Sequence, residues 1–444
     1  MTVLRIDYRT DPDPTCRSGP TRPRRPGPSL IVRHGPVLIV IMLLLAAFLG
    51  SCGESPTGTA RDGPANWTFL LYDDADFPGY DPLEHFRQEA CSGANVNVLV
   101  LQDSLGGPAR MYQVKHDHEL KLLEEMGEIN MGDPATLSVF LNYAKENFRA
   151  NAYVLAVYDH GGGWRGSCWD AASGEDNLTM DEMCRALDEA GGVDVILFSA
   201  PCLMGAAEAV YELRNCVDFY VAAEDLSGYC WWVYAMGDIC RAMNEEAPLK
   251  SEFLASLAVM SVWRHRDSSC PGTFEEEVQM AALRTDRITP LVEAIDSLSI
   301  AYLKDMSLFR YHMQLAMDSV EVMYYECADI YDLAVWLRRF AYKPDIRRAL
   351  DLVKAAAGGA VHAECRGSAV GDQNGLSLYL PGPYGAPYDT MYSDPAYGLD
   401  FTRDTHWDEL LQAYSASALE NHAPLTGHWS GPPPTGGFIP NRQR

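Results

Sequence analysis

Four short apolar runs, Asn95–Leu101, Tyr153–Tyr158, Val193–Phe198 and Val217–Ala222, set the fold class of this 444-residue chain. Each has the length of a strand and is apolar almost throughout, the pattern of a strand covered on both faces. Trp67–Tyr72 is a further run of this kind and Ala109–Val114 a weaker one. Helix signals lie between them. Pro82–Cys91 has helical spacing, and Asp133-Pro134 is an N-cap with a first-turn proline, opening a helix that runs to about Phe148. Thr179-x-x-Glu182 is a capping box whose helix stops at Gly191-Gly192, and Leu203–Arg214 reads as helix again. Strands alternating with helices of about a dozen residues predict an α/β fold with a mostly parallel central sheet and helices on both faces. This core spans 66–245. A largely helical region, 246–420, packs on it and contains one returning strand, Gly375–Leu380, stopped by Pro381-Gly382-Pro383, and a last helix, Thr405–Tyr414. Residues 421–444 are a Pro/Gly-rich tail read as disordered.

The N-terminus carries an export pattern. Arg22, Arg24, Arg25 and Arg33 precede the apolar run Val37–Leu49. That run is shorter than the ~20 residues of a membrane span and has the length of a signal-peptide core. It leads into Leu49-Gly50-Ser51-Cys52, which resembles the bacterial lipobox. The resemblance implies cleavage before Cys52, acylation of that cysteine, and a protein of the bacterial cell envelope held to the lipid bilayer by a tether, 52–65. The alternative is an uncleaved anchor. The Pro/Arg-rich stretch before Val32 is longer than an ordinary leader start, and translation starting near Val32 would explain it. Lys+Arg total 35 against 61 Asp+Glu, a net charge of −26, so the surface repels duplex nucleic acid.

Chemistry is expected beyond the carboxyl ends of the parallel strands. One end reads Tyr158-Asp159-His160-Gly161-Gly162-Gly163-Trp164 and another Phe198-Ser199-Ala200-Pro201-Cys202-Leu203-Met204-Gly205. His160 and Cys202 are separated by one helix and one strand, so they come from neighbouring strands and face one cleft. Three glycines after the histidine permit close backbone approach to a ligand. Cys202, read at the start of a helix, sits where backbone amides and the helix dipole favour a thiolate. A lone buried cysteine is more often a small core residue; the strand-end position and the histidine partner favour catalysis here.

Asp159–Trp164 (DHGGGW) and Cys202–Gly205 (CLMG), followed by Ala206–Asn215 and Phe219–Glu224, resemble the clostripain family of cysteine peptidases. Met131–Phe148 upstream, and Asn374–Pro381 and Asp404–Tyr414 downstream, extend the resemblance over about 66–416. It implies a caspase-like α/β/α sandwich and a cysteine endopeptidase that acts on peptides or proteins through an acyl-enzyme. The dyad falls on His160 and Cys202 with no third acid, and the oxyanion is held by the backbone N–H groups of Cys202 and Gly161. No catalytic cofactor is implied. Family members also mature by self-cleavage after a basic residue between the two motifs. Arg165 is the only basic residue of Arg165–Leu178, and no cleavage is expected there.

The departures from the family concern the substrate pocket. The family's acid two residues before the nucleophile is replaced by Ala200, and a second acid is missing from Trp231-Trp232-Val233-Tyr234. Glu224 or Asp225 would compensate, whereas Tyr229, Trp231 and Trp232 would instead make an apolar or aromatic pocket. The altered pocket also leaves room for another class of function, a catalytically silent lipoprotein that acts as a surface binding module. Asp73, Asp74 and Asp76 supply hard oxygen donors suited to a structural calcium; the plainer reading is a solvated loop. His116 and His118 have a metal-chelating spacing without further ligands, the basis of a third reading as a metal hydrolase. Twelve cysteines contain no CxxC, and export permits disulfides whose pairing the spacing does not assign.

Overall fold

The computed structural model describes residues 29–32, 63–75, 82–245, 248–268, 275–323, 326–381 and 387–421. The apolar run 37–49, Cys52, Asp76 and the tail from 422 lie outside the described residues.

Ten strands form the main sheet: β1 (Ser29–Val32), β2 (Ala65–Ala75), β3 (Val96–Ser104), β4 (Ala109–Val114), β5 (Leu120–Gly127), β6 (Ala150–Tyr158), β9 (Val193–Phe198), β10 (Val217–Ala222), β11 (Gln279–Arg284) and β14 (Val361–Arg366). Their order is β1-β14-β11-β10-β9-β6-β2-β3-β4-β5. The central pairs β10–β9, β9–β6, β6–β2 and β2–β3 are parallel, and both flanks are antiparallel. The other strands are a hairpin, β7 (Ser167–Asp170) with β8 (Asp176–Leu178), and a small sheet of β12 (Val322–Met323), β13 (Cys327–Asp329) and β15 (Ser377–Tyr379). The expected mostly parallel α/β core is present, and the region read as largely helical also contributes β11 and β14 to the sheet. Residues 29–32, read as part of the leader, pair with β14; cleavage before Cys52 would leave β14 at the sheet edge.

Period-two alternation explains the three layers. In β2, Leu70 and Tyr72 enter one core with the helices Pro134–Asn147 and Met180–Glu189. Trp67, Phe69 and Leu71 enter the other, with Pro82–Glu89, Tyr229–Met243 and Ser251–Arg264. Both faces are dry, so the strands read as continuous apolar runs. The helix signals act as expected: Asp133 accepts from the Ala135 N–H, the Thr179–Glu182 capping box is reciprocal, and Gly191 and Gly192 take φ of +78° and +70° at the helix end.

Several carboxyl groups are buried, two of them on the helix Ala207–Glu212 and one on the helix Ile330–Phe340. Burial pushes Glu208 up to about 7. Burial and Asp400 push Glu212 up to about 8, and burial raises Asp332 to about 7. The folded protein therefore keeps protons that the unfolded chain has lost, and stability falls as pH rises from the ordinary carboxylate range towards 8. Each such group contributes about 1.4 kcal/mol per pH unit inside its window. At the acid end Asp238 acts oppositely: despite burial, hydrogen bonds from His265 and Arg241 hold it well below its usual range, so its contribution is lost on acidification. Thermal melts are expected to show a higher Tm at pH 5 than at pH 8, with Glu212→Gln flattening the slope; a Tm that climbs from pH 5 to 8 contradicts this reading.

Candidate active site

β6 and β9 are adjacent and parallel, with Val157 opposite Phe198. The chain leaves both at the same end of the sheet. Ser199 fastens the second exit to the first, its N–H and hydroxyl both donating to the Val157 carbonyl at 2.9 and 2.7 Å. His160 thus follows β6 and Cys202 follows β9, side by side at one rim. His160 is exposed and Cys202 half-buried.

The glycine run lies against the cysteine turn. A Cβ on Gly161 would stand 2.5 Å from the Cys202 carbonyl oxygen and 2.9 Å from its amide nitrogen. A Cβ on Gly163, where φ is +63°, would meet the Leu203 oxygen at 3.1 Å. Only residues without a Cβ let these two segments touch. The Ser167 hydroxyl holds the His160 carbonyl at 2.8 Å, and buried Asp159 accepts from the Trp169 N–H at 2.7 Å, so the β7–β8 hairpin fixes the histidine segment.

Cys202 differs from expectation in its local structure. The helix begins at Ala207 with Ala206 as N-cap, so no helix N-terminus meets the sulfur. Residues 202–205 form a turn instead. Burial pushes the Cys202 thiol up to about 11, with Asp225 and Asp159 adding to the rise and the Ser227 N–H, 3.4 Å from Sγ, opposing it. Although His160 is largely exposed, the protein beside its ring lowers its pKa by desolvation, against the pull of Glu175. At neutral pH Cys202 is therefore held as a thiol, and His160, on the neighbouring strand exit, is shifted towards its neutral form. Leu203 has φ +63°, rare for a non-glycine residue; its N–H donates to the Asp225 carbonyl at 3.0 Å and its side chain packs on Met323 and Cys327.

The pocket candidates separate. Trp231 and Trp232 are 2% and 0% exposed and belong to the core, so they do not build the aromatic pocket expected of them. The Trp232 ring N–H donates to the Ser227 hydroxyl at 3.2 Å, steadying the segment that touches Cys202. Glu224 is fully buried and turned inward, accepting from the Gly375 N–H and the Gln279 side chain. Ala200 is nearly buried, Tyr229 half-buried, and Asp225 is a half-buried carboxylate electrostatically coupled to the Cys202 thiol.

Trp164 packs edge-on against Tyr379, Tyr392 and Tyr397. Arg165 lies over its ring and is clamped by Glu326 at 2.7 Å and Asp389 at 3.1 Å. Sequence reasoning missed this clamp, because its acids come from the region read as helical. It also missed the small sheet, whose Ser377 donates to the Gly205 carbonyl at 2.9 Å behind the cysteine turn. Asp73 and Asp74 are 0% and 1% exposed at the end of β2, which corrects the solvated-loop reading: the strand runs longer than expected and carries them inside. Asp103 and Asp159 are buried as well, and Gln102 donates to Asp73 at 2.8 Å. Among the described residues no set of three acidic, histidine or cysteine side chains is arranged to hold a metal ion. His118 lies in the β4–β5 turn with Nδ1 against the Arg87 carbonyl at 2.8 Å. No described helix is long and apolar enough to cross a membrane.

The comparisons with known proteins agree with this architecture. The model of the clostripain family matches residues 81–414. Clostripain from Hathewaya histolytica is 32% identical over 188 residues, a stretch covering 33% of this chain and 36% of that protein. The aligned stretch thus spans about a third of the curated relative's length. Among solved structures, a secreted C11 cysteine protease from Bacteroides thetaiotaomicron, in complex with an irreversible peptide inhibitor, is similar with a TM-score of 0.58 and 17% identity, covering 78% of this chain and all of that one. An inactive zymogen C11 protease from Parabacteroides distasonis is similar with a TM-score of 0.56 and 18% identity, covering 78% of this chain and 99% of the other. At these identities the structures support the fold alone, whereas the family model spans three quarters of the sequence. The chain belongs to the clostripain family.

Proposed function

We propose that this chain is a cysteine endopeptidase using His160 and Cys202. The observation that carries the reading is the contact of the Gly161 segment with the Cys202 turn at the common end of β6 and β9. The Cys202 sulfur attacks the scissile carbonyl as His160 takes its proton. The tetrahedral oxyanion is held by the N–H groups of Cys202 and Gly161. His160 then gives the proton to the leaving amine, and an acyl-enzyme remains. Water, activated by the same imidazole, releases the acid.

With Trp231, Trp232 and Glu224 turned into the core, half-buried Asp225, whose charge acts on the Cys202 thiol and whose Oδ2 accepts from Gln373 at 3.4 Å, is the carboxylate we assign to meet a substrate side chain. A basic P1 residue fits that charge. A P1 scan is expected to favour Arg or Lys, with Asp225→Asn lowering kcat/KM for those substrates about 10–100-fold, within the 1.5–3 kcal/mol of a charged hydrogen bond, and leaving neutral P1 substrates nearly unchanged. An unchanged ratio between basic and neutral substrates sinks the assignment.

Export and a lipid anchor at Cys52 complete the proposal. The run 37–49 before Leu49-Gly50-Ser51-Cys52 supports it, and one similar protein is described as secreted. The clamp on Arg165 argues against maturation by internal cleavage there, because releasing that bond for attack breaks two ion pairs and a cation–π contact. Intact mass of membrane-extracted protein should show one acylated chain starting at Cys52 and unbroken at Arg165, identical in wild type and Cys202→Ala. An unmodified start, or a Cys202-dependent cut at Arg165, contradicts the corresponding part.

A further inference from the structure

Cys184 and Cys216 stand apart from the proposed dyad, and their sulfurs are 3.9 Å apart. Cys184 is on the helix Met180–Glu189 and half-buried; Cys216 is in the turn before β10 and buried. Both sit on fixed backbone. The Cys216 carbonyl accepts from the Val193 N–H at 2.9 Å, and its N–H donates to the Leu213 carbonyl at 3.1 Å. Gly192, at φ +70°, packs so tightly under it that a Cβ there would stand 2.6 Å from the Cys216 oxygen. The Gly192 N–H in turn closes the end of the Cys184 helix on the Leu187 carbonyl at 2.7 Å. The two cysteines are therefore held close by elements that do not drift apart.

We propose that Cys184 and Cys216 are a redox pair that closes into a disulfide, stapling the helix Met180–Glu189 to the start of β10. Bond formation requires the sulfurs to approach by about 2 Å, within the reach of side-chain rotation. The environment is suited to it: Cys230 is already disulfide-bonded, while the remaining described cysteines, these two included, are free thiols. The half-buried Cys184 is the sulfur an oxidant reaches, and the hydrogen bond shared with Cys216 lowers its pKa.

The oxidant is a dithiol–disulfide exchange partner. The Cys184 thiolate attacks one sulfur of its disulfide, forming a mixed disulfide and expelling one thiolate. Cys216 then loses its proton to solvent and attacks the Cys184 sulfur, the intramolecular S–S bond forms, and the second thiolate leaves. Two protein thiols are oxidised and one external disulfide is reduced to two thiols. The closed loop, 184–216, contains β9 and Cys202. The staple lies at the amino-terminal end of β10, opposite the rim that carries His160 and Cys202, so it acts on stability and not on turnover.

The test treats the full chain, with its Cys230 disulfide left intact, with oxidised glutathione and maps its peptides without reduction. The expected result is a 2 Da loss assigned to a Cys184–Cys216 cross-link and a Tm rise of about 3–5 °C, the scale of a loop-closing disulfide in a chain of this size. Cys184→Ser and Cys216→Ser each abolish both changes and keep wild-type peptidase rates in reducing buffer. Cys184 recovered as a stable glutathione adduct or as a free alkylated thiol overturns the proposal, as does a Tm rise that persists in Cys216→Ser.

Discussion

Cys202→Ala should lower kcat/KM on a peptide substrate by about 10⁴–10⁶-fold, the range over which loss of a covalent nucleophile acts, with little change in Tm because the side chain is small and half-buried. His160→Ala is expected to cost about 10³–10⁴-fold at pH 7, and its pH profile is the more informative result. The Cys202 thiol is held at about 11, so without a base only about one molecule in 10⁴ carries a thiolate at neutral pH. The His160→Ala rate should then climb about tenfold per pH unit from 7 to 10, since raising pH replaces the missing base. Initial rates are needed, because the fold itself loses stability towards alkaline pH. Cys202→Ala has no thiol to ionise, and its residual rate should stay flat from about pH 7 to 10, where His160 is already neutral. The double variant should be no slower than Cys202→Ala, as expected of residues that act as one unit. A His160→Ala variant at wild-type rate, or a Cys202→Ala variant with residual activity that titrates, contradicts the mechanism.

Gly161→Ala carries the second large effect. The added methyl would meet the Cys202 carbonyl oxygen at 2.5 Å, the Pro201 Cβ at 2.6 Å and the Cys202 nitrogen at 2.9 Å, all parts of a turn fixed by the Leu203–Asp225 and Gly205–Ala223 hydrogen bonds. The turn has no room to yield, so the histidine segment must move out. That displaces one proposed oxyanion donor and the base together. Loss of one such donor costs about 10²–10³ in kcat, and Gly161→Ala should fall by at least that much with KM altered far less. Gly161→Pro, which deletes the N–H outright, should be no better. Gly162→Ala is the control: its methyl would meet the outer edge of the Trp169 ring at 2.7 Å, a side chain able to swing, so a loss of tenfold or less is expected. Equal losses in the two variants would mean that the glycines serve loop folding and not the oxyanion.

Much of this was legible in the chain. The central strands were readable because both faces of each are covered, which leaves runs that are apolar almost throughout. The caps at Asp133, at Thr179 with Glu182 and at Gly191-Gly192 act through contacts a few residues apart, so local sequence states them fully. Neighbouring positions for His160 and Cys202 followed from a parallel sheet with one helix between two strands. The environment of the thiol was not readable. Leu203–Arg214 has helical spacing, but the turn 202–205 is held by Asp225 and Ser377, which arrive from distant segments and delay the helix to Ala207. Trp231 and Trp232 lie in a motif that resembles a pocket wall, yet the helix Tyr229–Met243 turns both into the core. Asp73 and Asp74 read as solvated because isolated acids seldom enter a sheet, whereas here they extend β2 into a cluster with Asp103 and Asp159. The Arg165 clamp joins residues more than 150 positions apart and leaves no local pattern.

Time-resolved labelling with a peptidyl ketone that bears a leaving group, read as intact mass and mapped by peptide, tests the pairing of His160 with Cys202 most directly. The dyad predicts one adduct, on Cys202, forming at least about 100-fold more slowly in His160→Ala at pH 7 and recovering as pH rises. An adduct on another residue, or Cys202 labelling at the same rate with and without His160, contradicts it.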